Sequence, residues 1–259
     1  FSFDPRSIML FTSSAFGRDK TYNDSHLINP ESDIPQNLIE IPLTILGGSD
    51  GNLSNDDYLL FYGRGPSGFN LKAGEVKWHQ NLYFNESMYW LFIPKNISVR
   101  GQRINTANLI NTSSTELDYA RVFIHNEIDI INPQESGLLW GNKSVSSGAS
   151  ILDTIEVVNP STQTTINGTL GMIGNEKTNT RFKNTPHSIA LFKDNTKIID
   201  SNWANIGPKS IDFTISRNLI NEGFNTLRLK NQSNNSNSEP FYDYLNVSYL
   251  RKLNYLKPF

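Results

Sequence analysis

The sequence predicts an all-β protein, an N-terminal β domain followed by a jelly-roll-like antiparallel β-sandwich. Three observations predict it. Apolar and polar residues alternate over many short stretches, the pattern of strands with one face in a core and one in water. Turn-forming pairs such as Gly47-Gly48, Asp50-Gly51, Asp194-Asn195 and Gly207-Pro208 separate those stretches. The chain is rich in Asn, Ser and Thr and only 19% charged, a composition that suits turn-rich proteins because Asn and Ser satisfy backbone groups in turns.

Along the chain, strands are expected near residues 8–12, 38–46, 58–62 and 88–93. The polar stretch 105–117 reads as a linker, which divides the chain into an N-terminal β domain at 1–104 and a sandwich at 118–259. Residues 119–131 carry apolar residues that fit a strand or a helix, and their β-branched and aromatic content favours strand. From Ile151 onward strand follows strand. Asp194-Asn195 reads as a hairpin turn. Leu227 and Leu229 flank Arg228; Ile211, Phe213 and Ile215 alternate with polar residues, as do Leu245, Val247 and Tyr249. One short helix is expected over 216–221, ended by Gly223 in the left-handed conformation. Residues 231–238 form a low-complexity Asn/Ser loop.

Bulk properties narrow the function. At 259 residues the chain is long for one sandwich and comfortable for two modules of roughly 100–150 residues. A net charge of -2 gives no single-sign field for nucleic acid or an anionic membrane. No run approaches the roughly 18 apolar residues of a membrane span. The absence of cysteine excludes a thiol nucleophile, a thiolate metal site and a disulfide framework. The start at Phe1, without Met and without a signal-peptide layout, reads as a processed chain or an excised fragment.

Few residues invite a chemical reading. Asp50, Asn52, Asp56 and Asp57 form an acid-rich Asp-Gly loop, a calcium candidate because hard cations take six to eight oxygens from such loops. Aligned as an EF-type loop, however, positions one and three fall on Leu46 and Gly48, which offer no side-chain oxygen. The competing reading is a polar turn capped by its own Asp side chains. His26, His79, His125 and His187 show no short metal-ligand spacing. There is no Gly-x-Ser-x-Gly elbow, and Gly63-Arg64-Gly65-Pro66 is no phosphate loop. Trp90, Trp140 and Trp203 with Tyr242 and Tyr244 could stack on sugar, although such rings more commonly fill cores. Trp203 is the best carbohydrate-contacting candidate, since Ser201, Asn202 and Asn205 surround it.

Three blocks resemble the N-terminal β region of gingipain-like cysteine peptidases, a group that includes the surface sortase of the type IX secretion system. The first, residues 41–69, runs Gly47-Gly48, Asp50-Gly51, Asp56-Asp57-Tyr58, Phe61-Tyr62-Gly63 and Gly65-Pro66, followed by His79, Asn81 and Tyr89-Trp90. The second, residues 123–141, carries Glu127, Asn132, Ser136-Gly137 and Trp140-Gly141. That family usually continues with Glu, where this chain has Asn142. The third, residues 241–253, pairs Asp243-Tyr244 with an alternating strand ending Tyr249-Leu250-Arg251.

The resemblance implies a non-catalytic accessory module of a secreted or cell-surface bacterial peptidase. Its roles would be folding aid, prodomain-like cover or docking surface. The partner it implies is a caspase-like domain following the β region, which would hold the catalytic His and Cys; other cell-surface or secretion components are further partners. The alternative reading is a carbohydrate-binding jelly roll. A hydrolase using two carboxylates is a third, for which no pair of acids stands out in the sequence.

Overall fold

In the structure, a computed structural model, residues 4–13, 38–47, 54–72, 74–81, 85–94, 99–105, 117–133, 135, 137, 139–177 and 184–253 are described. The chain divides into two compact units, Phe1–Ser113 and Ser114–Phe259. The division falls inside the stretch 105–117, most of which lies outside the described residues.

The N-terminal unit begins with a single 3-10 turn, Pro5–Ser7. Pro5 fits there because the first turn of a helix needs no N–H from it. Asp4 accepts a hydrogen bond from the backbone N–H of Arg6 at 2.9 Å. Seven strands follow among the described residues: β1 (Met9–Ser13), β2 (Leu38–Ile41), β3 (Leu43–Leu46), β4 (Tyr58–Phe61), β5 (Gly68–Lys72), β6 (Glu75–His79) and β7 (Tyr89–Phe92). They form a three-stranded sheet in the order β2-β1-β7 and two hairpins, β3-β4 and β5-β6. The stretch expected as one strand at 38–46 is two, because Pro42 has no N–H to give to a ladder. The hairpin β5-β6 was not expected. Its turn passes through Gly74 at φ +84°, which glycine adopts at no steric cost. Among the described residues, the buried hydrophobic cluster here is Ile8, Leu10 and Leu43.

The C-terminal unit is a sandwich of long antiparallel strands: β8 (Tyr119–Glu127), β9 (Lys143–Ser144), β10 (Ser150–Val157), β11 (Ile166–Gly174), β12 (His187–Lys193), β13 (Thr196–Trp203), β14 (Gly207–Ile215), β15 (Gly223–Asn231) and β16 (Phe241–Lys252). One sheet runs β10-β15-β12-β13. The other runs β14-β11-β16-β8, with β9 paired to β16. The first strand of this unit therefore lies beside its last.

Alternation places the core. Ile211, Phe213 and Ile215 point inward from β14, as do Leu227 and Leu229 from β15 and Leu245, Val247 and Tyr249 from β16. Each such side chain contributes about 1.5–3 kcal/mol relative to exposure. The hairpin β12-β13 turns on Asp194-Asn195, with Asp194 at φ +54°, a conformation Asp tolerates. The helix expected over 216–221 is one 3-10 turn, Arg217–Leu219. Ser216 makes no capping bond, and Asn225 takes the backbone N–H of Asn221 at 3.0 Å, which a continuing helix would need. Gly223, at φ +89°, opens β15 instead of closing a helix. Among the described residues no helix is long and apolar enough to cross a membrane.

Candidate functional site

The functional candidate arises where β8 ends against β16. Register along β11 and β16 slips between Leu170 and Met172. Leu170 faces Leu245, but Met172 faces Tyr242, so Asp243 and Tyr244 together oppose Gly171. Such a bulge re-aims side chains that strict alternation would place elsewhere. Gly171 is required at this point, since a Cβ there would lie 2.4 Å from the Tyr244 ring.

The bulge brings Asp243 to Glu127, at the end of β8, and to Asp129, two residues beyond it. One carboxylate oxygen from each lies within 4.8 Å of the others. Three negative charges this close cannot all ionise cheaply. Burial pushes the Asp243 carboxyl up to about 8, reinforced by Glu127 and then Asp129. Burial also raises Asp129 to about 6, with Glu127 adding to the rise and His125 opposing it. Asp129 remains solvent-exposed as a residue, which fits the smaller shift.

His125 supports the cluster from one side. Its Nε2 lies 2.7 Å from Glu127 Oε2 and its Nδ1 lies 2.6 Å from Asn246 Oδ1. Both ring nitrogens are thus held by side-chain oxygens, one from β8 and one from β16. Behind the cluster, Tyr242 donates to Asp153 at 2.5 Å, and Asn126 Nδ2 donates to the Thr154 carbonyl at 3.2 Å. These bonds tie β16 and β8 of one sheet to β10 of the other.

Chemically, this donor set is all oxygen, which fits a hard divalent cation such as calcium. Three carboxylates supply part of the six to eight oxygens calcium takes; carbonyls and water supply the rest.

The residues singled out from sequence lie elsewhere. Asp50 and Asn52 are outside the described residues. Asp57 caps its own turn, accepting from the backbone N–H of Ser54 at 2.6 Å, and Asp56 is exposed on that turn. Trp203 is half-buried, packs against the sandwich core and lies 5.0 Å from His187, ring centre to ring centre. Its indole N–H is buried without a hydrogen-bond partner among the described residues. Glu127 and Asp243 appeared in the sequence only as parts of resemblance blocks. Their convergence depends on the pairing of β8 with β16, residues more than a hundred apart.

No protein-family model matches the chain, and no curated protein matches it. Among solved structures, dimeric latent PorU from Porphyromonas gingivalis superposes with a TM-score of 0.66 at 14% identity, over 97% of this chain and 22% of that one. The chain thus spans less than a quarter of that protein's length. Two carbohydrate-binding modules overlay about half of the chain. One is the CBM36-1 domain of a xylanase from the hindgut metagenome of Trinervitermes trinervoides, at TM-score 0.35 and 13% identity over 49% of this chain and 96% of that one. The other is a family 35 module from an environmental isolate, at TM-score 0.33 and 10% identity over 55% and 96%. The fold of this chain is therefore that of a segment of PorU, an all-β arrangement of an N-terminal β unit and a jelly-roll-like sandwich.

Proposed function

We propose that this chain is a non-catalytic accessory module of a secreted or surface-exposed gingipain-like cysteine peptidase. Its work is the burial of a polypeptide surface, as cover, folding aid or dock, with no bond made or broken. The observation that supports this reading most is the reach of the structural likeness. It extends over 97% of the chain at a TM-score of 0.66. The lack of any cysteine agrees, since the nucleophile of such a peptidase has to come from outside this chain.

The test is to express the coding region downstream of this chain with and without it. The reading requires a caspase-like domain carrying a His and a Cys there, whose soluble yield or latency depends on the module. A downstream region lacking that pair, or a peptidase indifferent to the module, would overturn it, as would hydrolytic turnover by the purified 259-residue chain.

Within that module we read Glu127, Asp129 and Asp243 as a structural calcium site. Calcium there clamps the end of β8 to the bulge of β16, the two strands that bound the sandwich in sequence. Melting with calcium and with chelator measures it.

A further inference from the structure

A second group of polar residues is buried around the start of β12. His187 is 2% exposed, Ser238 and Asn231 are fully buried, and Ser233 and Glu176 are 8% and 9% exposed. Three consecutive residues at the start of β12 hold the strap that joins β15 to β16. The backbone N–H of Gln232 donates to the Ser188 carbonyl at 2.6 Å. Ser233 Oγ donates to the Pro186 carbonyl at 2.8 Å. Between them, His187 Nδ1 meets Ser238 Oγ at 2.9 Å. Asn231 completes the knot. Its Nδ2 donates to the Val145 carbonyl at 2.8 Å and to Ser238 Oγ at 3.2 Å, and its Oδ1 accepts from the Ser233 N–H at 3.0 Å.

This knot is built for a neutral imidazole. His187 Nε2 is buried and has no hydrogen-bond partner among the described residues, while the ring lies against Trp203. A protonated ring carries an N–H at both nitrogens and a full charge. Among the described residues it finds one acceptor, Ser238 Oγ. Burying the second donor without a partner costs about 1–3 kcal/mol, and more when the group is charged. The charged group acting on the ring is Glu176, whose Oε1 accepts from the Thr185 N–H at 3.2 Å. Its charge favours protonation, but burial outweighs it and holds the imidazole below its ordinary range.

We propose that His187 is an acid-operated latch, and that protonating it releases the strap 232–238 from the start of β12. The sign follows from linkage. A histidine whose folded form resists the proton is charged more readily once its surroundings open. The closed state is then fully favoured above the ordinary histidine value of about 6.5 and weakens as pH falls below it. One proton is taken up on opening, so the open population grows by up to about tenfold per pH unit.

Amide hydrogen exchange on the full 259-residue chain reads this directly. Between pH 7.5 and 5, protection factors of Gln232, Ser233 and Ser238, corrected for intrinsic rates, should fall by up to about tenfold per unit below 6.5. His187→Asn keeps an amide in reach of Ser238 but does not titrate, so its protection factors at those positions should stay flat with pH. Flat protection in the wild type, or an equal fall in the variant, overturns the latch. Should the variant not fold, the imidazole Cε1 proton of wild-type His187 decides. A midpoint near 6.5 overturns the proposal, and a midpoint well below it supports the proposal.

Discussion

The two units of this chain solve the same problem unequally. In the C-terminal unit, strands of seven to twelve residues make up most of both sheets and bury eighteen apolar residues in one cluster. The N-terminal unit uses strands of four or five residues, and its described core is Ile8, Leu10 and Leu43. The exposed residues differ accordingly. Tyr58, Leu60, Trp90, Leu91 and Phe92 are all exposed in the N-terminal unit, on β4 and β7. In the C-terminal unit Leu152 and Phe224 are the exposed large apolar residues within the two main sheets, apart from Tyr119 at the start of β8. Stability in a β module follows the apolar area that alternation can direct to one side. The β7 segment Tyr89-Trp90-Leu91-Phe92 is apolar on both faces, and Trp90, Leu91 and Phe92, which alternate between those faces, are all exposed.

Separating the units tests this contrast most severely. Residues 114–259 alone should unfold in urea as a single cooperative transition with native-like β circular dichroism. Residues 1–113 alone should show no cooperative transition, because the apolar core among the described residues, Ile8, Leu10 and Leu43, is small against the ordering entropy of a chain that long. A sharp two-state transition in the isolated N-terminal piece would remove the contrast. A shapeless melt in the C-terminal piece would remove the sandwich.

Calcium sharpens the comparison from the other side, since Glu127, Asp129 and Asp243 all belong to the C-terminal unit. In the full chain, calcium at about 100 times its dissociation constant should stabilise that unit by about 2.7 kcal/mol. That is a rise of several degrees for a domain of this size. Asp243→Asn should abolish the rise, whereas Asp57→Asn should leave it intact. Equal melting curves in calcium and chelator would remove the site, and a rise surviving Asp243→Asn would place the ion elsewhere.

These contrasts also mark what the sequence made legible. Period-two runs such as Ile211-Phe213-Ile215 and Leu245-Val247-Tyr249 announced the sandwich, because each has one apolar face and a core to put it in. The β5-β6 hairpin stayed hidden although Phe69, Leu71, Val76 and Trp78 alternate around it. Its turn at Gly74 lacks the Asn-Gly or Asp-Gly pair that marks tight hairpins. The acidic cluster was illegible for a different reason. Acids two residues apart at Glu127 and Asp129 look like surface residues until β16 supplies Asp243, and it does so only through a bulge that shifts its register. The Asp-Gly loop at 50–57 drew attention because its acids are close in sequence. Of its described acids, Asp57 spends its carboxylate on its own turn.

Trp203 offers the smallest and most discriminating effect. Its neighbours in sequence are polar, which made it a candidate for sugar contact, yet its ring packs against the sandwich core beside His187. Trp203→Phe keeps most of the ring and removes a buried N–H that has no hydrogen-bond partner among the described residues. Losing an unsatisfied donor offsets the lost area, so stability should change by no more than about 1 kcal/mol in either direction. Trp203→Ala, which leaves a cavity, should cost about 3 kcal/mol or more. Neither change should alter retention on a glycan array if the indole serves the core. Glycan retention by the wild type that both variants lose would move Trp203 from packing to recognition. The carbohydrate-binding reading would then displace the architectural one.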